Sequence, residues 1–122
     1  MHNIRTYNAI SSKGLDRFAA DSYTVSDDCS APEGFILRSQ NLHAEPVPES
    51  LLAVARAGAG VNNIPVADYT KQGIVVFNTP GANANAVKEL IVAGLLLGSR
   101  DIFGGMSYVQ ELGHMNDPSE MG

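Results

Sequence analysis

Short apolar runs alternate with polar, turn-rich segments from the amino terminus to about residue 80. Most of these runs are rich in Val, Ile, Leu and Phe, which is typical of strands buried on both faces of a parallel sheet. Strands are predicted over residues 3–8, 23–25, 35–37, 52–57 and 74–77. The last two flank a helical segment, and two apolar strands joined by a helix form a parallel unit with a right-handed crossover. The pattern therefore predicts an α/β fold with an open parallel sheet.

Three segments carry helical spacing or helix-boundary residues. Helices are predicted over residues 13–20, 66–72 and 86–102. The second follows Pro65, which is tolerated in a first helical turn, and ends at Gly73, a typical carboxyl-terminal cap. Asn83 and Asn85 are both candidate amino-terminal caps for the third helix, which has a broad apolar stripe. From Gly104 onwards the chain is predicted to be irregular.

A glycine turn follows the strand predicted over residues 52–57. Gly58 and Gly60 predict that backbone here comes close to another group, and Asn62 and Asn63 continue the turn because Asn tolerates left-handed dihedral angles. The spacing is not that of a dinucleotide-binding loop, since the third glycine of a G-x-G-x-x-G pattern would fall at Asn63. Taken alone, a tight turn without a ligand is slightly favoured.

Polar groups follow three of the predicted strands. In a parallel sheet the ligand lies beyond the carboxyl ends of the strands, and here those ends carry Arg38 with Ser39, the turn at 58–60, and Asn78 with Thr79. A guanidinium binds carboxylate or phosphate through two parallel hydrogen bonds, and a hydroxyl and exposed N–H groups add further donors. These residues predict a site for a small carboxylate or phosphate. From position alone, Arg38 could equally be a surface arginine paired with a Glu, and Ser39 a turn serine.

Composition and charge limit the classes of partner. The chain has 122 residues and a net charge of −5 at pH 7, which argues against nucleic acid or an anionic membrane surface as a partner. Its longest apolar stretch, residues 90–97, is far shorter than a membrane span needs. The single cysteine, Cys29, forms no internal disulfide, and the charges scattered through residues 1–20 are unlike a secretory signal. We therefore expect a cytoplasmic protein.

The remaining reactive side chains form no recognisable catalytic or metal-binding pattern. His2, His43 and His114 lack the spacing of metal ligands, so no metal site is predicted. Cys29 lies in an acidic polar segment without a neighbouring base, which disfavours a role as a nucleophile.

One known family resembles this chain, the NAD-dependent D-2-hydroxyacid dehydrogenases, through the segment RAGAGVNNIPVADYTKQGIVVFNTPGANANAVKELIVAGLLLGSRDI with FILRSQ upstream. The similarity is strong over residues 35–102 and weaker over 3–23. Within the family, the chain most resembles the branch that oxidises 3-phosphoglycerate to 3-phosphohydroxypyruvate, the entry step to serine. The resemblance implies a flavodoxin-like substrate domain over residues 1–82. It also implies a long helix crossing to the cofactor domain, whose beginning would occupy the rest of residues 83–122.

The resemblance also implies roles for individual residues. Arg38 and Ser39 match residues that face the substrate, a phosphorylated 2-hydroxy acid. Ala59 and Gly60 match the loop whose backbone N–H groups meet the substrate carboxylate close to the nicotinamide of NAD. Asn83 matches an asparagine at the mouth of the cleft, beside both substrate and cofactor. The substrate-binding residues expected are thus these five, with Ala59 and Asn83 also next to the cofactor, in a full-length homo-oligomer.

No catalytic residue is assigned to this chain. The family's G-x-G-x-x-G domain and its catalytic arginine, glutamate and histidine would all come after Gly122, and neither His43 nor His114 substitutes for them. We therefore expect the chain alone to be inactive and not to bind NAD tightly. The alternative is a free-standing flavodoxin-like module that binds an anion or FMN or serves as an interaction partner. A phospho-receiver is disfavoured, because Asn8 and Arg38 stand where it would need acidic residues.

Overall fold

A single parallel sheet forms the first part of the molecule. The computed structural model describes residues 1–113 and residue 119. Its strands are β1 (His2–Thr6), β2 (Tyr23–Ser26), β3 (Gly34–Leu37), β4 (Ala53–Arg56) and β5 (Val75–Phe77). They pair in the order β2-β1-β3-β4-β5, and every pairing is parallel. This is the flavodoxin-like strand order, and it confirms the predicted α/β fold with an open parallel sheet.

Four helices accompany the sheet in the described part of the chain: α1 (Ser12–Leu15), α2 (Val66–Lys71), α3 (Ala84–Arg100) and α4 (Ile102–Leu112). Helix α2 confirms the prediction to within one residue, and Gly73 just after it has φ +78°, as a left-handed helix terminus requires.

The molecule divides into two compact units. The first, Met1–Ala82, holds the sheet with α1 and α2, and the second, Asn83–Gly122, holds α3 and α4. The buried hydrophobic residues described all belong to the first unit: Phe35, Leu37, Leu42, Leu51, Val54, Ile64, Tyr69 and Ile74. Strand β3 contributes two of these residues, β4 and α2 contribute one each, and the other four lie in the segments between elements. Neither α3 nor α4 contains a buried residue.

Helix α1 is much shorter than the predicted helix over 13–20. It comprises only Ser12–Leu15, and the side chain of Ser11 makes no capping hydrogen bond. Gly14 lies within this single turn, where glycine lowers helix stability. The following residues form turns, in which the N–H of Phe18 donates to the carbonyl of Leu15 at 3.0 Å.

The single helix predicted over 86–102 is two helices, and the irregular chain predicted from Gly104 is wrong as far as Leu112. The break falls at Asp101, whose φ of 45° is left-handed. Among the described residues no single helix is long and apolar enough to cross a membrane, although α3 and α4, bent by 54°, reach that length and composition together. His114 and most of the predicted tail lie outside the described residues.

Strand β5 is not the buried strand predicted over 74–77. Val75 is 51% exposed and Phe77 57% exposed, whereas Ile74, just before the strand, is buried. The reason is position, because β5 is an edge strand of the sheet. An apolar run predicts a strand but does not predict whether that strand lies at the centre or at the edge of the sheet.

Candidate anion-binding site

Three strand ends meet at the carboxyl edge of the sheet. The segment after β3, Arg38–Gln40, is here called the β3 loop, and the segment after β4, Gly58–Gly60, the β4 loop. The N–H of Thr79, after β5, donates to the carbonyl of Gly58 at 3.0 Å, and the Asn78 side-chain amide donates to the carbonyl of Ala59 at 2.7 Å. The structure therefore brings together the segments that the sequence predicted at this edge.

In the β4 loop the backbone carbonyl groups accept hydrogen bonds, whereas two of the backbone N–H groups have no partner among the described residues. Its carbonyl oxygens accept from the Thr79 N–H, the Asn78 side chain and, at Gly60, from Nη1 of Arg56. The N–H groups of Ala59 and Gly60 have no hydrogen-bond partner within the described residues. A ligand that accepts hydrogen bonds thus finds donors here, as an anion requires.

The two glycines of the β4 loop make room for Arg56. Neither has a positive φ, so conformational freedom does not explain them. A Cβ at Gly60 would lie 2.9 Å from Nη1 of Arg56, and one at Gly58 would lie 3.3 Å from its Nε. The close approach predicted for the backbone at Gly58 and Gly60 is therefore to the side chain of Arg56, which the sequence did not single out.

Asn62 and Asn63 continue the turn, as predicted, but neither has the left-handed φ on which that prediction was based. Among the described non-glycine residues, φ is positive only at Asn8 and Asp101. Asn63 instead uses its side chain, whose Nδ2 donates to the carbonyl of Gln40 at 2.7 Å. Asn63 therefore lies in the turn and also binds the β3 loop through its side chain.

The backbone of the β3 loop is held from both sides. Oδ1 of Asn8 accepts from three successive N–H groups, those of Arg38 at 3.2 Å, Ser39 at 2.9 Å and Gln40 at 2.9 Å. On the acceptor side, Nε of Arg56 donates to the carbonyl of Arg38 at 2.9 Å. The loop is therefore fixed by side chains that come from the ends of other strands.

The side chains of Arg38 and Ser39 are exposed and unengaged. The ion pairs in the described part of the chain join His2 to Glu33 and Lys71 to Asp68. No hydrogen bond or ion pair to the Arg38 guanidinium or the Ser39 hydroxyl occurs among these residues. The alternative of a surface arginine paired with a Glu is thus not what the structure contains.

Asn83 belongs to the second unit. It is the residue before α3, with φ −113°, and its side chain makes no capping hydrogen bond. Asn85, the other candidate cap, lies inside α3 and donates to Glu89 at 2.8 Å. The substrate and cofactor roles expected for Asn83 stay predictions, as do those of Arg38, Ser39, Ala59 and Gly60.

Two tyrosines of the first unit have altered acidity. Burial raises the pKa of Tyr7; Arg5, which lies 5.0 Å from the ring centroid, lowers it, and Glu45 raises it. Burial, followed by the charges of Tyr7 and Glu45, also raises the pKa of Tyr69. Both hydroxyls are therefore protonated and uncharged at neutral pH.

His2 and His43, the histidines that the structure describes, belong to no metal-binding cluster. Within the described residues, no three His, Cys, Asp or Glu side chains lie close enough to hold an ion. Nε2 of His43 lies 2.9 Å from the carbonyl of Asn62.

Parts of this sequence are similar to known proteins. Residues 16–111 match the family described as D-isomer specific 2-hydroxyacid dehydrogenase, catalytic domain. D-3-phosphoglycerate dehydrogenase of Archaeoglobus fulgidus is 38% identical over 73 residues, covering 57% of this chain and 14% of that protein. The enzyme of that name from Rattus norvegicus is 37% identical over 78 residues, covering 62% and 14%.

A third relative has a different name. Hydroxypyruvate reductase of Thermotoga maritima is 44% identical over 54 residues, covering 44% of this chain and 18% of that protein. The matched region is thus less than a fifth of each of these relatives. The family match itself extends over most of the present sequence. The chain therefore belongs to the D-isomer specific 2-hydroxyacid dehydrogenase family.

Proposed function

We propose that this chain is the substrate-domain part of an enzyme that oxidises 3-phosphoglycerate with NAD, at the entry to serine biosynthesis. One observation carries the proposal, the β4 loop with free N–H groups at Ala59 and Gly60 beside the unpaired Arg38. The names of the relatives from Archaeoglobus fulgidus and Rattus norvegicus support the choice of substrate. In this proposal residues 1–82 bind substrate, and residues 83–122 lead into the cofactor domain.

The proposed binding chemistry uses hydrogen-bond donors throughout. Arg38 supplies a planar pair of donors for a carboxylate or phosphate, and Ser39 supplies a hydroxyl. The N–H groups of Ala59 and Gly60 add neutral donors, which bind an anionic oxygen without a counter-charge of their own. These groups hold and orient the acid, and none of them removes a proton from it.

The residues of this chain do not form a dinucleotide site by themselves. The sequence contains no G-x-G-x-x-G pattern, so nothing in it cradles a pyrophosphate in the usual way. When bound in the complete enzyme, NAD would accept the hydride. We place Ala59 and Asn83 next to it and expect the 122-residue chain to be inactive alone. We also propose that the complete enzyme is a cytoplasmic homo-oligomer.

Substitution of Arg38 tests the proposed site. Arg38→Lys keeps the charge and loses the paired donors, so we expect the affinity for 3-phosphoglycerate to fall about tenfold. The measurement is calorimetric titration of the chain. Arg17→Lys is the matched control, since Arg17 is also exposed and lies in the turn after α1.

The titration also separates the alternatives. Equal affinity of the wild type and Arg38→Lys would contradict the role of Arg38, and no binding by the wild type would contradict the proposed function. Equal affinity for glycerate, which lacks the phosphate, would favour an unphosphorylated substrate such as the name of the Thermotoga maritima relative indicates. Yellow protein after purification would favour the FMN-binding module instead.

A further inference from the structure

The geometry points to Asn8 as a positioning residue, whose side chain holds the β3 loop so that Arg38 and Ser39 are presented to an anionic ligand. This inference rests on the proposed function, because it assigns a task to the loop that carries two of the substrate-binding residues. Asn8 itself would not touch the ligand. It acts through the backbone of Arg38, Ser39 and Gln40, at donor–acceptor distances of 3.2, 2.9 and 2.9 Å.

The position of Asn8 follows from strand register. Thr6 of β1 pairs with Ile36 of β3, and the N–H of Tyr7 donates to the carbonyl of Ile36 at 2.8 Å. Asn8 is thus the first residue beyond this ladder, level with the start of the β3 loop. Its left-handed φ of 66° is one that Asn adopts more readily than most residues.

Three successive N–H groups that bond one oxygen form an arrangement that would otherwise bind an anion. In this chain the neutral amide oxygen of Asn8 occupies them. The carbonyl groups of Arg38 and Gln40 are also engaged, by Arg56 and Asn63 respectively. The ligand is therefore left with the Arg38 guanidinium and the Ser39 hydroxyl, held on a backbone that has little freedom to move.

Hydrogen exchange of the wild-type chain, followed by NMR, gives the first test. The amides of Ser39 and Gln40 should exchange slowly and those of Ala59 and Gly60 rapidly, because only the former have partners. Adding 3-phosphoglycerate should protect Ala59 and Gly60 and leave Ser39 and Gln40 bonded to Asn8. If the ligand releases Ser39 and Gln40 and shifts the side-chain amide resonance of Asn8, then Asn8 is a displaced occupant and the inference is wrong.

A variant gives the second test. Asn8→Gly accepts the left-handed φ and removes the side chain that supplies the acceptor, so we expect faster exchange at Ser39 and Gln40 and about fivefold to tenfold weaker binding of 3-phosphoglycerate. Asn41→Gly is the matched control, since Asn41 is an exposed Asn whose Oδ1 accepts only a local bond, from the His43 N–H at 3.0 Å. The control should bind as the wild type does.

The outcomes are distinguishable. Unchanged affinity in a folded Asn8→Gly variant overturns the positioning role and leaves the proposed function standing. Absence of binding by the wild type overturns both. If Asn8→Gly does not fold, the exchange pattern of the wild type decides the question by itself.

Discussion

At the scale of single residues, Arg56 joins the two loops of the candidate site. Its Nε donates to the carbonyl of Arg38, 2.9 Å away, and its Nη1 donates to the carbonyl of Gly60. One planar group with several fixed donors can do this, whereas a lysine ammonium cannot reproduce the geometry. The β3 and β4 loops are therefore expected to shift together.

Gly60→Ala tests this connection. The new Cβ would lie 2.9 Å from Nη1 of Arg56, so the guanidinium must move and lose its bond to the loop. We expect the affinity for 3-phosphoglycerate to fall severalfold, with a loss of less than about 1 kcal/mol in the free energy of unfolding, because a flexible side chain gives way at small cost. Calorimetric titration and urea unfolding measure the two effects.

Two controls accompany Gly60→Ala. Gly14→Ala adds a Cβ with nothing within 4 Å and should leave binding unchanged. In an Arg56→Ala background, Gly60→Ala should have no further effect, because the clash is gone. Additive losses in the double variant would show that the two residues act independently.

The residues facing the ligand could be predicted from sequence, and those behind them could not. Arg38, Ser39 and the β4 loop directly follow apolar strands, so their place at one edge follows from the parallel sheet. Asn8 and Arg56 both hold the β3 loop through hydrogen bonds to residues 18 to 32 positions away. Such contacts depend on strand order and register, which no local pattern of hydrophobic and polar residues specifies.

At the scale of elements, Asp101 ends α3 and caps the start of α4. Its N–H donates to the carbonyl of Leu97, ending α3, and its side chain accepts from the N–H of Gly104 at 3.2 Å, beginning α4. Apolar residues at helical spacing in α4 were present in the sequence, yet Gly104 and Gly105 indicated irregular chain. Here a cap, which satisfies the first turn of the helix, outweighs the low helix propensity of two glycines.

Asp101→Ala should shorten or unfold α4. The variant loses the cap and places alanine at a φ of 45°, so we expect a cost of about 1–2 kcal/mol to α4. Asp101→Asn keeps both the acceptor and the tolerance for this φ and serves as the matched control. Backbone chemical shifts of residues 102–112 report the change, and unchanged shifts in Asp101→Ala would contradict the capping role.

At the scale of the whole molecule, the hydroxyl of Tyr69 is one of two buried side-chain polar atoms without a partner among the described residues, with Oδ1 of Asn63 the other. Tyr69 is 1% exposed, and its hydroxyl has no hydrogen-bond partner in the described structure. A buried hydroxyl of this kind lost water on folding and gained nothing in return. Tyr69 packs in the same core as Phe35, Val54 and Ile74, so its cost falls on the unfolding of the entire unit.

Tyr69→Phe should therefore be neutral or stabilising, by up to about 1 kcal/mol at pH 7. The raised pKa of Tyr69 means that the native state keeps its proton where the unfolded chain, with an ordinary pKa of 10.0, loses it. Ionisation of this tyrosine does not affect the free energy of unfolding below pH 10.0. Above that value it lowers the free energy of unfolding, because the unfolded chain ionises first. We expect the variant to lose less stability between neutral and strongly alkaline pH.

Urea unfolding at neutral and at alkaline pH measures both effects. Tyr108→Phe is the control, since Tyr108 in α4 is 52% exposed. A large loss of stability in Tyr69→Phe at neutral pH would mean that the hydroxyl has a partner, such as a bound water.

Because the carbonyl groups of the β4 loop already accept hydrogen bonds, the ionisation state of an acid should affect how well it binds at this edge. A loop whose oxygens already accept hydrogen bonds offers little to a ligand that brings a proton of its own. An ionised carboxylate only accepts hydrogen bonds. The undissociated acid and the amide each carry an N–H or O–H donor, and the methyl ester is a weaker acceptor than the carboxylate. If the edge binds an acid as proposed, we expect it to discriminate by ionisation state, and recognition of the same molecule should weaken as the medium becomes acidic enough to neutralise it.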